Sequence, residues 1–526
     1  MEDQPPKVAV IGLGVLGLVA VKNLTEEGFN VTGLERNSYV GGLWHYTDQD
    51  KTSVLPTTTI NISKERGCFT DFPFPDDTPS HCTAGHVQDY IESYVDHFNL
   101  RPKLRLSTVV SGVRRDDDGR WAVDIQGSGP EYFDKVIMAS GINSSPHIPK
   151  LVGLDQFDGQ VLHSRAFKKP ELFKGNKVVV VGMGNTGADT ASALCGHADK
   201  VWLSHNHGAI VMPRVMDGAP FDHAVTSRKT AILGFLELNF PRLFEFAFNA
   251  GCKKMQDRAF NIRPEWKLSP APPIKHAVPI ISDDLCNLLE SGDILSVTGV
   301  RRVTGPREVE LNDGTRLDAD VIIWCTGYKT DFGLLDRRVD PTRNTTPKWD
   351  AAIGSRGKPL ARLYQNVFSL DYPDSLAFMG TVAFATAAFP LYDLCSMAIA
   401  QVWKGNSSLP SVQEMNHAVD QQHDFICSIA KDGSAVPGWV RQAEWLAWAD
   451  EAAGTRVNEH LGWGLEGWRF WYSDRGFCRM LMDGIYTPFL WRLFDGKRKK
   501  WDGARAAIEK VNAEVEAAKK KKKKTE

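Results

Sequence analysis

The chain has 526 residues, 42% of them hydrophobic, which is enough for two or three domains with apolar cores. Its formal net charge of −2 includes the six consecutive lysines Lys519 to Lys524, so the body of the chain is distinctly acidic. An acidic body excludes nucleic acid as an expected partner, because binding would need a basic face that neutralises phosphates.

The cysteines exclude further classes of protein. There are nine of them, an odd number, and no two are spaced as CxxC. This composition excludes a disulfide framework and a zinc knuckle, and it indicates a reducing compartment. We therefore expect a cytoplasmic protein without a metal site.

The first forty residues predict a strand, a glycine turn, a helix and a second strand. The run from Val8 to Ile11 is continuously apolar, as is typical of a parallel strand covered on both faces. The turn after it carries GxGxxG at Gly12, Gly14 and Gly17. The first glycine makes the turn, the second lets a pyrophosphate approach the backbone, and the third lets the helix meet the strand.

Glu35 ends the second strand, 21 residues after Gly14. A carboxylate at this place accepts hydrogen bonds from ribose hydroxyls and repels a 2′-phosphate, so this unit selects FAD or NAD. The segment Gly41 to Trp44 follows, a backbone turn with an aromatic ring suited to packing around a flavin. The expected contacts of this first dinucleotide are Gly12, Leu13, Gly14, Val15, Leu16, Gly17, Glu35, Leu43 and Trp44.

A second unit of the same kind begins at Lys177. An apolar strand leads into Gly182, Gly184 and Gly187, and the next strand ends in residues 204–208, SHNHG, without a carboxylate. That ending accommodates a 2′-phosphate, so the two units have opposite charge preferences and predict two different dinucleotides. The expected contacts of the second dinucleotide are Gly182, Gly184, Asn185, Thr186, Gly187, Ser204 and His207.

Between the two glycine turns, residues 157–167 read FxGxxxHxxxF, with Phe157, Gly159, His163 and Phe167 at the fixed positions. On this motif the chain resembles the flavin-containing monooxygenases, whose hallmark is FxGxxxHxxx(Y/F). The related Baeyer–Villiger monooxygenases carry tryptophan at the last position. The resemblance implies that His163 is the domain-linker histidine of the family.

The resemblance covers nearly the whole chain and implies an α/β fold of two Rossmann-type dinucleotide-binding domains, the second inserted in the first. An FAD-binding domain is expected at 1–168 and 329–526, and an NADP-binding domain at 169–328, with a helical insertion at about 213–280. Residues 512–526 are expected to form a disordered basic tail. Two family-like segments, TINISKE from Thr59 and CTGY from Cys325, add further expected cofactor contacts: Ile60, Asn61, Ile62, Thr326 and Gly327.

The resemblance also implies a mechanism. NADPH at the second site reduces FAD, the reduced flavin takes up oxygen as a C4a-hydroperoxide, and an amine nitrogen or a sulfur of a small molecule attacks the distal oxygen. Asn61 is expected to hydrogen-bond the flavin and nicotinamide region, because an amide both donates and accepts. Family members place arginine after the position of Ser204. This chain has histidine and asparagine there, so Arg214 is expected to compensate at the 2′-phosphate.

Several alternatives stay open. Phe167 does not exclude Baeyer–Villiger oxygenation of a carbonyl compound, since some flavin-containing monooxygenases insert oxygen beside carbonyls. A non-catalytic, redox-sensing flavoprotein would bind the cofactors without oxidising NADPH, whereas a disulfide reductase would need a cysteine pair that this chain does not have. The phenylalanine-rich stretch 235–248 either packs inside or makes a peripheral contact with the cytoplasmic face of an internal membrane. The substrate and the oligomeric state are not predicted.

Overall fold

The computed structural model describes residues 4–525 of the chain. Its strands are β1 Lys7–Ile11, β2 Asn30–Leu34, β3 Leu104–Arg105, β4 Val110–Arg115, β5 Trp121–Ile125, β6 Gly129–Phe133, β7 Lys135–Met138, β8 Ser145–Pro146, β9 Gln160–His163, β10 Lys177–Val181, β11 Lys200–His205, β12 Val211–Met212, β13 Val215–Met216, β14 Ala219–Pro220, β15 Ile280–Ile281, β16 Ile294–Thr298, β17 Val300–Gly305, β18 Glu308–Leu311, β19 Arg316–Asp318, β20 Val321–Trp324, β21 Tyr328–Lys329, β22 Leu363–Tyr364, β23 Phe368–Ser369 and β24 Leu376–Phe378. Its helices are α1 Val15–Glu26, α2 Lys64–Gly67, α3 Ala84–His97, α4 Asn185–Leu194, α5 Ser227–Asn239, α6 Pro241–Ala259, α7 Leu285–Ser291, α8 Pro347–Asp350, α9 Ala388–Trp403, α10 Val412–Asp432, α11 Gln442–Ala453, α12 Val457–Leu461, α13 Leu465–Ser473, α14 Arg475–Asp483 and α15 Ala504–Thr525.

The first unit is built on a seven-stranded sheet in the order β22-β23-β24-β7-β1-β2-β3. Strand β1 lies inside this sheet and pairs in parallel with both β2 and β7. Its side chains alternate between two cores: Val8 and Val10 pack with α1 and α9, while Ala9 and Ile11 pack toward the small sheet β4-β5-β6. Burial on both faces explains why β1 is continuously apolar.

The second unit is built on a five-stranded parallel sheet in the order β16-β11-β10-β20-β9. Helices α4 and α7 cover one face, and the antiparallel sheet β17-β18-β19 covers the other. The α/β prediction of two Rossmann-type units is therefore confirmed. The boundary differs from the expected residue 168, because β9 pairs with β20 and so belongs to the second sheet.

Two crossings connect the units. The segments β8 and β21 pair antiparallel, with Pro146 opposite Tyr328, so the outgoing and returning chains run side by side as a short ribbon. Residues 213–280 leave the second sheet after β11 and contain α5 and α6. Helix α5 packs against α11 and α14, which follow the second crossing, so this insertion returns to the first unit.

The expectation of a disordered tail at 512–526 is wrong for residues 512–525, which continue helix α15; Glu526 lies outside the described residues. Alanine, glutamate and lysine are strong helix formers, and Ala504, Ile508 and Val515 are buried, so packing anchors the first half of the helix. Within residues 4–525, none of the helices has the length and apolar character needed to cross a bilayer.

Candidate flavin and nucleotide site

The first glycine turn joins β1 to α1 so tightly that two of its positions admit only glycine. A Cβ on Gly12, whose φ is 98°, would lie 2.5 Å from the carbonyl oxygen of Ala139. A Cβ on Gly17 would lie 1.8 Å from the oxygen of Gly12. Gly14 meets only the backbone of Gly42, at 3.7 Å, so the helix N-terminus keeps an open approach for an anion.

The second glycine turn repeats this geometry between β10 and α4. A Cβ on Gly182 would lie 2.4 Å from the oxygen of Cys325, and one on Gly187 would lie 1.9 Å from the oxygen of Gly182. No atom lies within 4 Å of a Cβ built on Gly184. The turn therefore packs against its sheet at its first and third glycines and is open at the second, where a pyrophosphate needs space.

Glu35 ends β2 as predicted and connects the strand to the first glycine turn. Its Oε2 accepts a hydrogen bond from Leu13 N at 2.8 Å, and its Oε1 accepts from the backbone and side chain of Asn37 at 2.9 and 2.8 Å. A carboxylate has about four acceptor sites, so acceptor capacity remains for a ribose hydroxyl. No sequence motif indicates this role of Asn37.

The segment after Glu35 lies directly on the first glycine turn. Gly41 N donates to Leu13 O at 2.9 Å, and Gly14 and Gly41 form an isolated parallel β-bridge. Trp44 meets Phe389 edge-on at 6.1 Å. The other residues expected at the first dinucleotide have these positions: Leu13 and Val15 are buried, while Leu16, Leu43, Ile60 and Ile62 are partly buried.

At the second turn, two of the expected contacts are used within the protein. Ser204 Oγ donates to Thr298 O at 3.0 Å and joins β11 to β16. Asn185 Oδ1 accepts from Ile281 N at 2.9 Å and joins the start of α4 to β15. Of the predicted polar side chains of this site, Thr186 and His207 are exposed.

Arg214 is not placed to serve the second nucleotide as expected. Its side chain is buried and donates from Nε to Ile60 O and from Nη2 to Thr59 O, both at 3.1 Å. Nη2 also donates to Asn61 Oδ1 at 3.1 Å. The expectation that Arg214 compensates at a 2′-phosphate is wrong, because its guanidinium is buried and holds residues 59–61 of the first unit.

A second charged residue of the insertion holds the same segment. Asp222 is fully buried, and its Oδ2 accepts from Ser63 N at 2.9 Å and from Ser63 Oγ at 3.0 Å. His223 lies 3.2 Å from Glu65. The conformation of residues 59–65 thus depends on the start of an insertion some 150 positions away, which no local pattern indicates.

The FxGxxxHxxxF motif builds the connection between the units. His163 Nδ1 accepts from Arg165 N at 3.1 Å, so its Nε2 donates to Gly327 O at 3.0 Å. Burial lowers the pKa of His163, which favours the neutral ring that this arrangement requires. A Cβ on Gly159 would lie 2.4 Å from Asp320 O, and the remaining motif side chains, Phe157 and Phe167, are buried.

The returning chain is held by the same connection. Thr326 Oγ1 donates to the carbonyl oxygen of His147, and His147 N donates to Gly327 O at 2.9 Å. Thr326 and Gly327 therefore tie the two crossings to each other and to His163.

One titratable group near the second turn was not predicted. Asp189 lies on α4, and burial raises its pKa to about 6, although the charge of Arg214 lowers it in part. A carboxyl group held partly protonated near neutral pH is frequent at functional sites.

The sequence profile of the flavin-binding monooxygenase-like family matches residues 5–524. The chain belongs to this family. Monooxygenase aurF of Gibberella zeae is 45% identical over 518 residues, which cover 97% of this chain and 98% of that protein. Flavin-containing monooxygenase 3 of Rattus norvegicus is 32% identical over 521 residues, which cover 95% and 91%. The structure of S-allyl-L-cysteine S-oxygenase from Allium sativum shares the fold, with a TM-score of 0.62 at 21% identity over 97% of this chain and 99% of that one.

This flavin-binding monooxygenase-like protein is an NADPH-dependent flavin monooxygenase that acts on a small molecule with O2. It uses FAD and NADP(H), as its two glycine turns predicted. The residues present fit both groups: each turn leaves its second glycine open, and Glu35 retains acceptor capacity.

Proposed function

We propose that the enzyme transfers one oxygen atom of O2 to a nucleophilic nitrogen or sulfur of its substrate. NADPH supplies two electrons, and the second oxygen atom leaves as water. FAD, when bound, activates the oxygen. The chain's own residues hold the two dinucleotides, orient them toward each other and keep bulk water away.

The proposal assigns FAD to the first unit and NADP(H) to the second. The buried carboxylate of Glu35 ends β2 and would repel a 2′-phosphate, whereas β11 ends in residues without a carboxylate. The assignment rests on this charge difference between two turns of otherwise equal geometry.

The observation that carries the proposed chemistry is the position of Asn61. It lies in the segment of the first unit that resembles the family's flavin-facing segment, and its Oδ1 accepts a hydrogen bond from Arg214 of the second. We assign Asn61 the role of a neutral hydrogen-bonding group where flavin and nicotinamide meet, because an amide adds no charge beside a reactive oxygen.

The test is turnover of the FAD-loaded enzyme with NADPH and ¹⁸O2. We offer a tertiary amine, N,N-dimethylaniline, and a thioether in parallel with cyclohexanone, and measure NADPH loss, hydrogen peroxide and product mass. A single ¹⁸O in an N-oxide or a sulfoxide is expected. A lactone alone would instead identify Baeyer–Villiger chemistry. Bound cofactor without NADPH oxidation would identify a redox sensor.

We further propose that the enzyme rests on a lipid surface through an apolar patch on α5, α6 and α13. Helix α5 packs on α14, which packs on α13, so α14 connects the two parts of the patch. Phe246 and Tyr472 are 72% and 76% exposed. The patch consists of the exposed residues Ile232, Phe235, Leu238, Phe240, Leu243, Phe246, Trp463, Leu465, Trp468, Trp471 and Tyr472.

Its composition favours the boundary of a bilayer over a protein partner. Tryptophan and tyrosine are enriched where hydrocarbon meets headgroups. Arg475 stacks over Trp471 at 4.5 Å and over Tyr472 at 5.3 Å, so it can reach toward phosphates from beside the aromatic rings. Exposed apolar area of this kind marks an interaction site.

Vesicle flotation tests the surface. The unmodified enzyme should float with phosphatidylcholine vesicles, and the double variant Phe246→Ser, Trp468→Ser should bind them roughly tenfold more weakly, because each ring loses its buried apolar area. Ile353→Ser removes an apolar side chain outside the patch that is even more exposed than Phe246 and Trp468, and it should leave binding unchanged. Equal flotation of the patch variant and this control would overturn the proposal.

A further inference from the structure

We infer that Arg214 is a positioning residue that fixes the side-chain amide of Asn61 in one of its two orientations, with the oxygen turned away from the reaction and the NH2 group free to donate. This inference rests on the role proposed for Asn61. Through Arg214, the insertion would take part in the chemistry of the first unit.

Hydrogen bonds to both units hold Arg214 in place. In the second unit, Arg214 N and Nη1 donate to the two carboxylate oxygens of Asp283, at 2.8 and 3.1 Å. Toward the first unit, Nε and Nη2 donate to Ile60 O and Thr59 O. The remaining contact, from Nη2 to Asn61 Oδ1, is thus made by a group that has little freedom to move.

The chemistry of the pair decides the orientation of the amide. A guanidinium has five N–H donors and no acceptor, so the atom of Asn61 that faces it must be the oxygen. Throughout residues 4–525, the NH2 group of Asn61 makes no hydrogen bond to another residue. Both of its N–H groups are therefore left to donate to a bound cofactor or to oxygen.

The orientation matters because the terminal torsion of asparagine is otherwise two-fold and broad. With the amide reversed, a carbonyl oxygen would face the reacting oxygen atom, where negative charge develops. Fixed donors aimed at that charge stabilise it, whereas an acceptor repels it. Removing Arg214 should let both orientations be populated, and part of the reducing power should then leave as hydrogen peroxide.

A double-mutant cycle tests the inference. Asn61→Asp keeps the oxygen that faces Arg214 and removes the donor, whereas Arg214→Met removes the group that orients the donor. Each single variant should lower the ratio of oxygenated product to hydrogen peroxide roughly tenfold, the value of one hydrogen bond to a charged group. Each should also shift the absorption spectrum of bound, oxidised FAD in the same direction.

The combined variant should be no worse than either single one, because both changes remove the same donor. Arg214→Lys should lie between the unmodified enzyme and Arg214→Met. Arg214→Lys also provides the comparison with the unmodified enzyme if Arg214→Met does not fold. Arg165→Met removes another ion pair of the linker region, Arg165–Asp50, without touching residues 59–61, and should leave spectrum and product ratio unchanged.

Additive losses in the double variant, or an unchanged spectrum and ratio in Arg214→Met, would overturn the inference. Failure of the proposed function has a different signature, namely hydrogen peroxide without product from the unmodified enzyme. The spectral comparison does not depend on turnover, so it still shows in that case whether Arg214 acts through Asn61.

Discussion

Gly184 and Gly187 stand three residues apart at the second turn, yet a methyl group has different consequences at each. A Cβ on Gly187 would lie 1.9 Å from the carbonyl oxygen of Gly182, so Gly187→Ala should prevent folding of the unit. Gly184 has open space and an extended φ of −133°, which any residue adopts. Sterics therefore fix the third glycine, and only approach of the pyrophosphate fixes the second.

We predict that Gly184→Ala folds normally but binds NADPH roughly tenfold more weakly, because its methyl group occupies the approach to the turn. Thermal unfolding and titration with NADPH measure the two effects. Gly251→Ala, on α6 and also with open space around its Cβ, is the matched control and should leave the affinity unchanged. An unchanged affinity in Gly184→Ala would show that no pyrophosphate lies there.

Asp189→Asn should stabilise the enzyme at neutral pH. Burial raises the pKa of Asp189 to about 6, above the value near 4 of an unfolded chain, so folding favours the protonated form. The contribution of Asp189 to the stability of the parent enzyme is then greatest below pH 4 and falls as pH rises to 6. We expect a gain of about 1–3 kcal/mol at pH 7.5 and none near pH 4, measured by urea unfolding. An equal gain at both values would contradict the assignment.

At the residue scale, the positions predicted from the sequence are those whose constraint is local. Gly12, Gly17 and Glu35 follow from a single strand-turn-helix unit, and the structure shows the tight contacts that such a unit requires. Arg214 and Asn61 lie 153 positions apart, and nothing in either local pattern indicates that they meet. The sequence therefore pointed to both residues, but it did not show that Arg214 contacts residues 59–61.

At the scale of elements, the first unit contains a buried group of charges that no helical periodicity reveals. Lys22 on α1 is 2% exposed and pairs with Asp71, while Arg492 reaches Glu26 at 2.9 Å. Burial raises the pKa of Asp71, but the charges of Arg492 and Lys22 outweigh it and bring the pKa below its ordinary value. A charged residue on a helix normally indicates a side chain exposed to solvent. Here the charged side chain of Glu26 instead joins α1 to Arg492 of the C-terminal segment.

Arg492→Met should destabilise the enzyme by about 3–5 kcal/mol, because it removes one of the two cations that pair with the buried carboxylates. Lys500→Met breaks an exposed ion pair of the same segment, with Asp495, and should cost less than about 1 kcal/mol. Urea unfolding of both variants gives the comparison. A loss for Arg492→Met as small as for Lys500→Met would show that the buried group does not hold the segment.

At the scale of the whole molecule, the two α/β units were predictable because each is specified by a short continuous run of apolar residues and a glycine turn. Their connections were not. The boundary at 168 moved because β9 is an edge strand of the second sheet, and the expected tail became helix α15 because Ala504 and Ile508 pack inside. Both outcomes depend on tertiary packing, which local composition does not specify.

The proposed reaction requires two dinucleotides, one held at each glycine turn, that meet across the two units. Anaerobic titration of the purified enzyme with NADPH, followed at the flavin absorption, tests this directly. We expect about one FAD per chain and full bleaching by about one equivalent of NADPH, since each carries two electrons. A protein that cannot be loaded with FAD, or whose flavin stays oxidised in excess NADPH, would contradict the account.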